Sequence, residues 1–134
     1  GGELKPRPAR PTQLLERYPA ADAQLTPGFA FSLEQALRKL PGPHGEPFAE
    51  LVRRGSLSIE VFAPQGEDTQ QPHAQDELYV VAQGEATFDN DGTKTTARRG
   101  DLLFVAAGVA HHFENFSDDF VVWVIFYGPQ GGEP

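Results

Sequence analysis

Between Phe48 and Gly128 the chain is never apolar for long. Glycine, proline or Asn-Asp-Gly breaks it into "FAELVRRG", "LSIEVFAP", "DELYVVAQG", "EATFDN", "TKTTARRG", "DLLFVA", "AHHFENF" and "FVVWVIFYG". Runs this short, rich in β-branched and aromatic residues and bounded by turn formers, read as strands. Eight of them in about ninety residues, with no helical pattern between them, predict an all-β antiparallel sandwich or barrel. "FDNDGTKT" marks a hairpin, because Asp91-Gly92 can adopt the positive φ values of a two-residue turn. Ahead of the strands, Ser32 opens "SLEQALRKL" with Gln35 three residues on, the spacing of a capping box, and "PGP" stops the pattern at Pro41. One short helix is expected there. Residues 1–28 carry Pro6, Pro8, Pro11, Pro19 and Pro27, which favour an extended arm with at most one helical turn in "QLLERY". The expected organisation is this arm followed by one β domain over 29–134, a size that buries a single core.

Composition narrows the chemistry. With 19 acidic and 11 basic residues the formal charge is −8, which disfavours nucleic acid and anionic membrane surfaces, since both reward clustered Lys and Arg. A small molecule or another protein is the expected partner. Without cysteine there is no disulfide, thiolate nucleophile or iron–sulfur cluster, so any metal must be held by N and O donors. The longest apolar run, Phe120 to Tyr127, is far below the roughly 20 residues of a membrane-spanning helix. No signal-peptide core is visible, and a soluble cytoplasmic protein is expected.

Polar residues that could do chemistry collect in two places. In "QQPHAQDELYVV" an extended backbone would put Gln71, His73, Gln75, Glu77 and Tyr79 on one face. Some thirty residues later, "GDLLFVAAGVAHHFEN" offers His111, Phe113 and Asn115 on one face and His112 on the other. Two imidazoles and one carboxylate make a 2-His-1-carboxylate set, which leaves coordination positions open on Fe(II) and comparable metals.

The spacing of these residues resembles the cupin superfamily, small barrels marked by two motifs. The second motif, G-x5-P-x-G-x2-H-x3-N, is met by Gly100, Gly108, His111 and Asn115, with Ala106 at the proline position. The first, G-x5-H-x-H-x3,4-E-x6-G, is met by His73, Glu77 and Gly84. Gln71 stands where its first histidine belongs, and Gly66 lies one residue out of register with the leading glycine. The resemblance implies a single-domain cupin barrel (double-stranded β-helix, or jelly roll) holding one divalent transition metal on His73, Glu77 and His111. Fe(II) is favoured, with Zn, Ni or Mn as alternatives. Gln71 would give either a long fourth contact or a hydrogen bond to metal-bound water. Glu77 and Tyr79 are the candidate catalytic residues, although Tyr79, Phe104 and Phe113, as aromatic residues in strands, could simply fill the core.

The implied activity is a mononuclear Fe(II)-type oxygenase acting on a small organic molecule. The alternatives are a non-catalytic barrel that binds metal or a small ligand, and a Zn- or Ni-dependent isomerase or lyase. Arg53 and Arg54 should point to opposite faces of their strand, so at most one could clamp a substrate carboxylate. His112 is expected at the surface, and His44 is assigned no role. Because Phe120 to Tyr127 is apolar on both parities, both of its faces should be covered, one of them by a second subunit in a homodimer.

Overall fold

The computed structural model describes residues 28–134. In chain order these form α1 (Leu33–Leu37), β1 (Phe48–Arg54), β2 (Leu57–Phe62), β3 (Asp76–Gln83), β4 (Glu85–Asn90), β5 (Thr93–Arg98), β6 (Leu102–Val105), β7 (His111–Glu114) and β8 (Val121–Tyr127). Each of the eight punctuated runs is therefore a strand. The proline-rich arm, including the turn expected in residues 13–18, lies outside the described residues apart from Gly28.

Turn chemistry sets the boundaries. Asp91 and Gly92 take φ of 53° and 91°, the left-handed pair that lets β4 and β5 close with Asn90 opposite Thr93. At Gly84 (φ +75°) a side chain would meet Ser117 Oγ at 2.5 Å and Phe120 Cα at 2.8 Å, so only glycine fits between β3 and β4. The capping box forms as its spacing requires, with Ser32 Oγ accepting from Gln35 N and Gln35 Oε1 accepting from Ser32 N. The helix it starts ends at Leu37, earlier than Pro41 alone would impose.

The strands make two antiparallel sheets, one in the order β1-β2-β8-β3-β6 and the other β5-β4-β7. Their inner faces enclose the core. Phe62, Tyr79, Val81, Phe88, Phe113, Phe120, Val122 and Phe126 are all buried there, and removing each such apolar side chain from water contributes roughly 1.5–3 kcal/mol. This is the two-sheet antiparallel barrel that the motif resemblance implies.

A second apolar cluster covers the outside of the larger sheet. Val121 and Trp123 of β8 pack with Val61, Leu51 and the helix residues Leu33, Ala36 and Leu37. The two-sided apolarity of β8 thus has a local cause, because the chain's own helix lies over the outer face and no second subunit is needed to explain it. Phe104 also departs from expectation. It is 49% exposed on the edge strand β6, beside Leu102 at 66%, and is not part of the core.

Candidate metal centre

The first half of the site sits on a loop, contrary to the extended strand expected across 70–81. β3 begins only at Asp76, so parity does not carry back to Gln71, which is exposed. Its neighbour takes the inward role: Tyr79 Oη donates to Gln70 Oε1 at 3.0 Å.

Specific bonds hold this loop in place. Asp68 Oδ2 accepts from Phe113 N at 2.8 Å and from Gln70 Nε2 at 2.7 Å, tying the loop to β7. Gly108 N donates to the carbonyl of His73 at 2.8 Å. Asp76 accepts from Ala107 N and Glu133 N, both at 2.9 Å. Gln75 is buried but turned elsewhere, donating to the carbonyls of Ser56 and Gly128. Asp68 and Gln70 were not singled out from sequence. Their two-residue separation is a common Asx-turn spacing, but it does not reveal a long-range bond to β7.

His73, Glu77 and His111 meet inside the barrel. Their donor atoms all lie within 4.8 Å of one another, and the three residues are no more than 4% exposed. Glu77 Oε1 faces His73 Nδ1 at 2.6 Å and His111 Nε2 at 2.8 Å. Tyr79 Oη lies 3.1 Å from the same His111 Nε2. Phe126 meets the His73 ring edge-on at 5.0 Å, closing the wall behind it.

The hydrogen bonds fix where the protons of this cluster lie. His111 Nδ1 is 2.8 Å from the carbonyl of Val109, which can only accept, so Nδ1 carries a hydrogen. Neutral imidazole then leaves a lone pair on Nε2, aimed at a carboxylate oxygen 2.8 Å away. The phenol's single hydrogen is directed to Gln70 Oε1. Either a second proton or another cation must therefore sit between His111 and Glu77.

Without metal, a proton fills that place. Burial alone would raise the Glu77 pKa, but hydrogen bonds and charge from His111 and His73 bring it down to about 2. Burial alone would lower the His111 pKa, but the Glu77 carboxylate and the Val109 carbonyl outweigh it and hold the imidazole above its usual value.

The residues fit a metal ion. Glu77 Oε2 is buried with no hydrogen-bond partner, an arrangement that costs free energy unless a cation is coordinated. Val109 orients the ring of His111 in the manner of an outer-sphere partner of a metal-bound histidine.

The other candidates lie apart from this centre. His112, the next residue on β7, points outward and is 3.1 Å from Glu114 Oε2 and 3.9 Å from Asp89 Oδ2. Asn115 is exposed in a left-handed conformation (φ 51°) just beyond β7, so it does not share the inward face of His111 and Phe113. Arg54 is exposed, and Arg53 Nε binds Glu50 Oε1 at 2.9 Å. Register places Arg53 opposite Ser58 and Glu50 opposite Glu60. Glu50, Ser58 and Glu60 are buried on the inward face, a polar group that an alternating strand pattern would not lead one to expect in a barrel interior.

Two sheets closed around a buried His-Glu-His centre define a cupin. The cupin domain family model matches residues 58–127, more than half of the chain, and the chain belongs to that family. It is 36% identical over 85 residues to the uncharacterized protein SCO3923 of Streptomyces coelicolor, covering 62% of this chain and 81% of that one. Among solved structures it is similar to protein NMB1881 from Neisseria meningitidis (TM-score 0.61, 18% identity, 75% of this chain and 100% of that one). It is also similar to a cupin-2 domain containing protein from Shewanella frigidimarina (TM-score 0.52, 17% identity, 60% and 79%). At these identities the structural likenesses speak for the fold. Among the described residues no helix is long and apolar enough to cross a membrane.

Proposed function

We propose that the chain is a mononuclear metal-dependent enzyme acting on a small organic molecule, with His73, Glu77 and His111 as the metal ligands. The observation that carries this reading is the convergence of the His73, Glu77 and His111 donor atoms within 4.8 Å of one another in the barrel interior, with Glu77 Oε2 buried and without a hydrogen-bond partner. A divalent transition metal bound there, Fe(II) foremost with Zn, Ni or Mn as alternatives, would supply Lewis acidity and open coordination positions, as a 2-His-1-carboxylate set does in oxygenases. Tyr79 is the proton-handling group: its hydroxyl faces the centre, and Gln70 fixes the direction of its hydrogen.

An Fe(II)-type oxygenase is the leading reaction class. The Tyr79 hydroxyl at 3.1 Å from His111 Nε2 favours a second, oxygen-independent reading, an isomerase or lyase in which the phenol transfers a proton to or from the substrate. Under either reading Gln71, exposed at the cavity mouth beside Gln70 and His73, acts on the approaching molecule and not as a ligand.

Protein purified without chelators should contain about one transition metal per chain. Anaerobic Fe(II) followed by nitric oxide should give a spectroscopic adduct in the oxygenase. An intact centre that forms no adduct selects the oxygen-independent reading, and a centre that no supplement can load leaves a non-catalytic binder.

The homodimer forms part of the proposal, moved from β8 to the edge strand β6. Leu102 and Phe104 are exposed there, and an uncovered strand edge invites pairing.

A further inference from the structure

His73 belongs to two places at once. It is a member of the metal cluster, and it also lines a cavity of about 220 Å³ whose wall includes Glu46, Phe48, Phe62, Glu67 and Asp68. Among the described residues this wall contains three carboxylates and no lysine or arginine. Asp68 is committed to Gln70 and to the backbone of β7, and Glu67 is exposed. Glu46 differs from both. It is 8% exposed, its Oε1 accepts from His44 N at 2.7 Å, and its buried Oε2 has no hydrogen-bond partner.

The turn is built around this carboxylate. Gly42 N donates to the carbonyl of Glu46, and a Cβ at position 42 would come within 2.6 Å of Glu46 Oε1, so only glycine leaves room for the carboxylate. A carboxylate held here, with one oxygen buried and without a hydrogen-bond partner, acts on whatever enters the cavity it walls. The other part of the wall is aromatic, with Phe48 and Phe62. Carboxylate and aromatic faces together favour an organic cation with an apolar body.

We propose that this cavity is the substrate subsite of the metal centre and that it takes a small protonated amine, with the ammonium group toward Glu46 and Glu67 and the carbon skeleton against Phe48 and Phe62. That the bound amine is a substrate rests on the reading of His73–Glu77–His111 as a metal site, but the cavity's preference for an amine does not. Phosphorylated and other anionic compounds are disfavoured, because among the described residues the wall has three carboxylates and no lysine or arginine to neutralise them.

Three probes of matched shape test this: 3,3-dimethylbutylamine (cation), 3,3-dimethylbutan-1-ol (neutral) and 3,3-dimethylbutanoate (anion). Binding is measured by calorimetry on the full chain, metal-free and zinc-loaded, with metal content assayed separately. The amine should bind about tenfold or more tighter than the alcohol, and the carboxylate more weakly than either. Glu46→Gln should remove most of that preference without lowering zinc content, and Glu67→Gln, at an exposed position with no packing to disturb, should remove a smaller part. Equal binding of amine and alcohol by the folded wild-type chain overturns the proposal, as does a preference that survives both substitutions. Amine selectivity in a chain that takes up no zinc upholds the subsite and removes the metal reading instead.

Discussion

His111 and His112 are consecutive residues on one short strand, and each stands among carboxylates, yet they belong to different chemistries. The His111 side chain is fully buried against Glu77, while that of His112 is 42% exposed beside Glu114 and Asp89. Both clusters have donor atoms within 4.8 Å of one another. Outside, Lys94 Nζ reaches Glu114 Oε1 at 2.7 Å, so the negative charge is met by a side chain and by water. Inside, the described residues offer Glu77 no lysine or arginine, and its Oε2 is left without a hydrogen bond. Ligand-type residues in proximity are common to both sites. What separates them is desolvation, which makes an unpaired carboxylate oxygen costly on one face of β7 and inconsequential on the other.

The sharpest way to break this contrast is to remove one member from each cluster. Glu77→Gln and His111→Ala should each lower zinc or iron affinity by at least about 100-fold, since each deletes a donor that the burial of the others depends on. His112→Ala should leave metal stoichiometry and affinity unchanged. Titration with a competing chelator measures both, and comparable losses from His111→Ala and His112→Ala would dissolve the distinction.

Acidity sharpens the comparison further, but less dramatically. In metal-free protein, Glu77 has a folded pKa of about 2, below its ordinary 4.5, so its contribution to stability is complete above pH 4.5 and is lost as pH falls toward 2. The pKa of His111 lies above its ordinary 6.5, so its contribution is complete below pH 6.5 and is lost as pH rises through the folded value. Chelated protein should therefore lose Tm on the alkaline side of pH 6.5. Metal-loaded protein should not, because binding requires the neutral imidazole that higher pH supplies. Thermal melts of both forms between pH 5 and pH 9 test this, and His112→Ala should leave both profiles as they are. An alkaline loss of the same size in the loaded form would mean that proton and metal do not compete for one place.

The same contrast explains what could be read from the chain in advance. Alternation and turn residues act over a few positions, so all eight strands, the Asp91-Gly92 hairpin and the cap at Ser32 were legible. His111 and His112 were assigned to opposite faces correctly because β7 is regular there. Parity failed where the backbone leaves the strand, at Gln71, which lies in a loop before β3, and at Asn115, just past β7, whereas Arg53 and Arg54, inside β1, do differ, one bonded to buried Glu50 and the other exposed. Gln70, Asp68 and Glu46 escaped notice because long-range bonds and a buried turn fix their places. Phe104 looked like core because aromatic residues in strands usually are, but β6 is an edge and one of its faces meets solvent.

Phe104→Lys tests that edge. Sedimentation velocity at micromolar concentration should show a wild-type dimer shifted to monomer, with metal content retained. A wild-type chain that sediments only as monomer would remove the association while leaving the inner and outer faces of β7 as unlike as before.

The smallest effect is expected at the outer cluster itself. The Glu114 pKa is lowered chiefly by the hydrogen bond from Lys94 and next by that from His112, while the Lys94 pKa is raised by the same bond to Glu114. Both partners are substantially wetted, and exposed ion pairs of this kind contribute little because water and salt compete for each charge. Lys94→Gln should leave Tm within the scatter of repeated melts, and raising the salt concentration should affect wild type and variant alike. A clear drop in Tm at low salt would show that the outer carboxylates depend on Lys94 as Glu77 depends on His73 and His111, and exposure would then no longer explain why two neighbouring histidines differ.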